Sequence, residues 1–159
     1  MSEVDFTTRF AAVYEDSPWV ADGVLAHAAE LTTAEAMAAA MAEVVDAAPY
    51  ERKLALIRAH PQLASRAKMA DASVKEQSGA GLDQCSPEEF EAFQRLNSAY
   101  NARFGFPFIV AVKGLSRADI LAAFEARLAN DPETEFATAI AQIHRIARFR
   151  LDELFGEAS

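Results

Sequence analysis

The sequence predicts an all-α fold, a single compact helical domain of about eight helices with a short extended apolar segment. Three observations carry this expectation. Ser, Thr or Asp repeatedly stands just ahead of a proline, or three residues ahead of an acid, which is the punctuation of helix N-termini. Alanine is concentrated in the third and final helical stretches, where it favours helix and lets helices approach closely. Apolar residues in the final stretch recur with the helical period.

The elements follow in order. A first helix is expected over 4–14, and Ser17-Pro18 opens a second over 18–29. Thr32 with Glu35 reads as a reciprocal capping box ahead of a third helix, 33–46. The fourth, 50–59, is stopped by Pro61, because proline drives the residue before it out of the α region. Residues 62–71, rich in small and basic side chains, are expected to form an irregular surface loop, and a short fifth helix, 72–78, follows. Ser86-Pro87 with Glu89 opens the sixth, 87–103; Ser116 with Asp119 opens the seventh, 117–129; Asp131-Pro132 opens the eighth, 132–155. Between the sixth and seventh, Phe106-Pro107-Phe108-Ile109-Val110-Ala111-Val112 is rich in β-branched and aromatic residues, and Pro107 gives it an extended start. With no Gly/Ser linker, repeat or low-complexity tail, residues 1–159 read as one domain.

Composition narrows the function. The formal net charge of −9 opposes a phosphate backbone or an anionic membrane surface, so neither nucleic acid nor membrane is expected as a partner. The N-terminus has neither the basic nor the apolar region of a signal peptide, and the apolar run 106–112 is far too short to span a bilayer. A single cysteine, Cys85, can form no internal disulfide, and the last residues, Glu157-Ala158-Ser159, are not a peroxisomal address. A reducing cytoplasm is the expected compartment.

Several residues invite chemistry. His60 ends the fourth helix against Pro61, where the partial negative charge of the helix C-terminus favours a protonated imidazole, although a histidine in such a place is more often a simple C-terminal cap. Ser73, Glu76 and Gln77 share one side of the fifth helix, either as a polar site or as capping plus a solvated face. On the eighth helix, advancing about 100° per residue from Phe136 brings Ile140, Ile143, Ala147, Leu154 and Arg150 onto one stripe. A guanidinium on an apolar stripe needs an anion, carbonyl groups or a ligand. His27 and His144 form no recognisable metal pair, so no metal site is expected; Cys85 reads as an ordinary loop thiol, and Trp19 as a core anchor at a helix start.

Taken in order, the chain resembles the family of 2-oxo-4-hydroxy-4-carboxy-5-ureidoimidazoline (OHCU) decarboxylases. The resemblance rests on Glu15-Asp16-Ser17-Pro18-Trp19-Val20, Ala59-His60-Pro61, the stretch from Ser73 through Glu76, Gln77 and Gly79 to Leu82, the stretch from Asn97 through Tyr100, Asn101 and Phe106 to Ile109, and Arg148-Phe149-Arg150-Leu151. Asp16 departs from the pattern, which often has His there. The resemblance implies an all-α homodimer that converts OHCU to (S)-allantoin and carbon dioxide without metal or organic cofactor. It makes His60 the catalytic histidine and places Pro61, Ser73, Glu76, Gln77, Phe108, Ile109, Val110 and Arg150 at the substrate.

The residue types suit such a reaction. Loss of carbon dioxide leaves an electron pair that the adjacent conjugated imidazoline system can accept, so the substrate supplies its own electron sink. A positioned acid or base must still move a proton, the role expected of His60. Two other readings fit parts of the sequence: a non-catalytic helical dimerisation module, suggested by the Ala-rich helices and acidic balance, and an enzyme of the same fold acting on another ureide or cyclic amide.

Overall fold

The computed structural model describes residues 3–64 and 71–157. Among the described residues there are eight α-helices, two 3-10 turns and no strand. In order they are α1 (Glu3–Phe10), α2 (Trp19–Val24) running into a 3-10 turn (Leu25–Glu30), α3 (Ala34–Asp46), α4 (Tyr50–Ala59), α5 (Asp71–Gly79), a 3-10 turn (Leu82–Gln84), α6 (Pro87–Phe104), α7 (Arg117–Arg127) and α8 (Pro132–Glu157). The expected all-α class is the observed one. The stretch read as an irregular loop falls largely on 65–70, outside the described residues.

The capping chemistry explains most helix starts. Ser86 and Ser116 both form complete capping boxes, with Glu89 and Asp119 respectively, and Asp131 Oδ1 accepts from the Thr134 N–H at 2.8 Å. Two expectations need correction. The box expected between Thr32 and Glu35 is replaced by a cap one residue later: Thr33 has the extended backbone a cap requires, φ −128° and ψ 156°, and its Oγ1 accepts from Ala36 N–H. Ser17 does not cap α2, because its hydroxyl donates to the Glu15 carbonyl at 2.9 Å; Pro18 stands at the cap position without a side-chain bond.

The chain divides into two compact units, Met1–Ala59 with Ile143–Ser159, and His60–Gln142. In the first, α1 packs on α2 and α2 on α3, burying Phe6, Phe10, Val20, Met37, Met41 and Val45. At about 25 cal/mol per Å², complete burial of side chains of this size contributes roughly 1.5–3 kcal/mol each before entropy is charged against it. α1 stops at Phe10, shorter than the 4–14 expected, and the following turn bends at Asp16, whose φ is +47°. Asp, Asn and His are the non-glycine residues most enriched in that left-handed region, so Asp16 suits the turn. Trp19 is only half buried, with the Arg52 guanidinium 4.9 Å above its ring, so it anchors the helix start by a cation–π contact at the edge of the core.

In the second unit Tyr100 on α6 is the aromatic centre. Its ring meets Phe106, Phe108 and Phe124 edge-on, and Phe108 stacks on Phe124 at 3.9 Å between centroids. Gly105, with φ +77°, ends α6, and residues 106–112 then run buried and non-helical, which is the extended apolar segment expected from Pro107. On α8 the buried face is Glu135, Ala139, Ile143, Ala147 and Leu151 at intervals of four, flanked by Ile140 and Arg150. Ile140, Ile143, Ala147 and Arg150 are buried as the count from Phe136 placed them, while Phe136 and Leu154 at its two ends are half buried.

Candidate active site

His60 follows the last residue of α4 directly and is 6% exposed. Pro61 stops the helix because its ring clashes with a continuing turn and it has no N–H to give. The four residues after the histidine then have to find partners for backbone groups that no helix satisfies. Side-chain carboxamides supply them. Gln77 on α5 accepts from the Ala64 N–H through Oε1 at 3.0 Å and donates through Nε2 to the Gln62 carbonyl at 3.3 Å. Asn97 on α6 donates through Nδ2 to the Leu63 carbonyl at 3.0 Å, and Gln94 donates to the Ala64 carbonyl at 3.3 Å. Ala64 itself has φ +54°, a left-handed conformation that costs a non-glycine residue about 1–2 kcal/mol.

The other expected site residues fall as follows. Gln77 is buried beside the His60 turn, with both ends of its carboxamide bonded to backbone there. Among the described residues one N–H and one lone pair of that carboxamide remain for other use. Glu76 lies half buried on the same helix, and Pro61 is also half buried. The side chain of Ser73 lies outside the described residues. Phe108, Ile109 and Val110 are buried in the same unit as His60, within the extended segment.

That segment is held from one side by charge. Arg127 on α7 donates through Nη1 to the Ile109 carbonyl and through Nε to Glu135 Oε1 at 2.9 Å, and its guanidinium lies 4.4 Å from the centre of the Phe108 ring. Glu135, fully buried, also accepts from the Tyr100 hydroxyl and from Asn130 Nδ2. Burial, then the hydrogen bond to Glu135, pushes the Tyr100 phenol well above its ordinary range. The Ala111 N–H is taken by Gln142 Oε1 at 2.9 Å. Arg127, Glu135 and Asn97 were not legible as site-builders from spacing alone, although Asn97 sits on an apolar face with Phe93, Leu96 and Tyr100, the same anomaly that singles out Arg150.

Arg150 lies in the first unit, 7% exposed. Its Nη1 points at the carbonyls of Ala12 and Val13, at 3.2 and 3.4 Å, and at Glu15 Oε1 at 3.5 Å. These bonds are long, but they supply the carbonyl and anion partners that a guanidinium on an apolar stripe requires. His144, also in the first unit, is engaged structurally: Nδ1 meets the Tyr14 hydroxyl at 2.7 Å and Nε2 meets Asp46 Oδ1 at 3.1 Å. Cys85 donates its S–H to the Leu82 carbonyl, and burial pushes its thiol up, as suits an unreactive sulfur. Among the described residues no three His, Cys, Asp or Glu side chains converge to hold a metal ion, and no helix is long and apolar enough to cross a membrane.

Comparison with known proteins identifies the family. The family model for OHCU decarboxylase matches residues 1–152. A protein of Haloferax volcanii named 2-oxo-4-hydroxy-4-carboxy-5-ureidoimidazoline decarboxylase is 42% identical over 155 residues, covering 98% of this chain and 92% of its own. The uric acid degradation bifunctional protein PucL of Bacillus subtilis is 41% identical over 157 residues, covering 99% of this chain but 32% of that longer protein. Among solved structures, a crystal structure of (S)-allantoin synthase superposes with a TM-score of 0.79 at 32% identity; the match covers 97% of this chain and 51% of that one, so this chain spans about half its length. An OHCU decarboxylase crystallised in the presence of (S)-allantoin superposes with a TM-score of 0.67 at 25% identity, covering 78% of this chain and 82% of that one. The chain therefore belongs to the OHCU decarboxylase family and is a carboxy-lyase of the decarboxylation step in urate degradation.

Proposed function

We propose that the protein decarboxylates OHCU to (S)-allantoin without a cofactor and that His60 is its acid/base. The observation that carries this reading is the buried imidazole of His60 on a turn whose backbone is bonded at successive residues. A proton carrier must be held in one pose if it is to deliver the proton to one face of a planar intermediate. In the reaction the bond to the carboxylate breaks and its electron pair passes into the conjugated ring system. A proton from solvent neutralises the ring nitrogen that takes up this pair, and the resulting enediol-like species then loses its hydroxyl proton and gains a proton at ring carbon. His60 accepts and returns these protons.

The remaining roles follow from what each group can offer. Glu76 accepts N–H bonds of the ureido group or ring. Ser73 and the unused half of the Gln77 carboxamide meet the other polar edges, and Pro61 shapes the wall beside the histidine. The backbone of Phe108, Ile109 and Val110 binds the ring edge, with the Ile109 carbonyl already committed to Arg127. Arg150 binds a substrate carbonyl oxygen. A tight clamp on the departing carboxylate is a poorer role for it, because such a clamp would stabilise the ground state over a transition state that is dispersing that charge. A homodimer in the cytoplasm completes the proposal.

The test generates OHCU from urate with the two upstream enzymes and follows the circular dichroism of allantoin. A fast rise of one enantiomer is expected with the intact protein. His60→Ala should fold normally and lose at least about a hundredfold in rate, the scale of a general acid/base contribution. Near-normal enantioselective turnover by His60→Ala would remove the histidine from the mechanism.

A further inference from the structure

We infer that Asn97, seconded by Gln94, is a positioning residue for His60: it holds the turn that carries the imidazole without touching substrate. The inference rests on the reading of His60 as the acid/base. Its first support is the density of bonding. Three carbonyls and one N–H over Gln62, Leu63 and Ala64 are bound, and every partner is a neutral carboxamide from α5 or α6. Its second is backbone strain. Ala64 holds φ +54° with a Cβ present, and a conformation of that kind persists only where its surroundings over-determine it. Bonds on both the N–H and the carbonyl of Ala64 do so here.

The third support is the choice of residue at 97. The position faces inward with Phe93, Leu96 and Tyr100, where leucine would pack at no polar cost. Asn97 instead leaves its Oδ1 buried with no hydrogen-bond partner among the described residues. A residue chosen for stability alone would not carry that orphan acceptor. What the position obtains in exchange is the Nδ2 bond to the Leu63 carbonyl, three residues beyond His60, with the Asn97 backbone carbonyl fixed in turn by Asn101 Nδ2 at 2.9 Å. Neutral amides suit this task because they fix geometry without adding charge beside a group that must cycle between protonation states.

The experiment compares Asn97→Asp, Gln94→Ala and His60→Ala in the full chain, singly and with each of the first two combined with the third. Asn97→Asp keeps the shape but turns a donor into an acceptor facing the Leu63 carbonyl. It should lower kcat about 10- to 100-fold, the scale of a displacement near 1 Å, while KM for OHCU changes less than about threefold. Gln94→Ala, at a half-buried position, should give a smaller loss of the same kind and carries the test if Asn97→Asp does not fold. Neither change should slow the residual turnover of His60→Ala further, since a brace has no effect once the group it positions is gone. Wild-type kcat in both Asn97→Asp and Gln94→Ala beside an inactive His60→Ala would overturn the brace alone, as would equal slowing with and without His60. Full activity in His60→Ala would instead overturn the acid/base reading, and the purpose of the brace with it.

Discussion

The turn at residues 60–64 and the segment at residues 106–112 pose the same physical problem and solve it with opposite chemistry. Both are non-helical stretches in a helical protein, and both bury backbone groups that need partners. The first is bonded by uncharged carboxamides of Gln77, Gln94 and Asn97. The second is bonded by a guanidinium that is itself neutralised by a buried carboxylate, with a tyrosine and an asparagine completing the acceptor side. The difference lies in what happens on failure. An amide bond lost from the turn leaves one or two unsatisfied dipoles, whereas a partner lost from the ionic set leaves a bare charge in the interior.

The largest effect that would sharpen this contrast comes from Glu135→Leu. Stranding the Arg127 cation should cost about 3–5 kcal/mol, read as a fall in the urea midpoint, and the double variant with Arg127→Met should recover part of that loss. A double variant no more stable than Glu135→Leu would mean that packing, not stranded charge, sets the cost. Gln77→Ala should cost less, about 1–3 kcal/mol for the Ala64 N–H and Gln62 carbonyl it leaves without their partner. If the two single variants were equally destabilised, the distinction between neutral and ionic bracing would break. The smallest effect is in pH. Burial, and the hydrogen bond to Glu135, raise the Tyr100 phenol; burial, and the Asp46 charge, raise that of Tyr14. A raised folded-state value keeps the proton on while the unfolded chain ionises, so this stabilisation is whole below about pH 10 and declines as pH rises beyond it. The melting temperature should fall in that alkaline window, and Tyr100→Phe should flatten the fall.

Much of the helical framework was legible because capping is local chemistry. Ser86, Ser116 and Asp131 announce their helices within three residues, and Pro61 ends its helix by stereochemistry alone. The misses were equally local in origin. Thr32 and Thr33 have the same hydroxyl, and only the backbone angle at Thr33 decides which one caps. Ser17 spends its hydroxyl on the Glu15 carbonyl, a choice that depends on how the turn before it closes. For the site, Gln77 was legible as a polar residue on a short helix, but not its bonds to residues 13 and 15 positions earlier. Glu135 was hidden by its position in the first turn of α8, where acids are expected anyway to meet the helix dipole, although it is fully buried. Long-range pairings such as Asn97 with Leu63 have no periodicity to betray them.

The left-handed backbone at Ala64 sets a direction in which this protein can be improved and harmed at once. Glycine there would relieve the steric cost of the Cβ and admit a wider range of angles. A screen for heat resistance would therefore tend to find Ala64→Gly, and on the proposed acid/base role of His60 a screen for turnover would tend to discard it, because the same freedom loosens the loop beside the histidine. Alanine at 64 limits the angles this turn can reach, at a steric cost of about 1–2 kcal/mol that glycine would not carry.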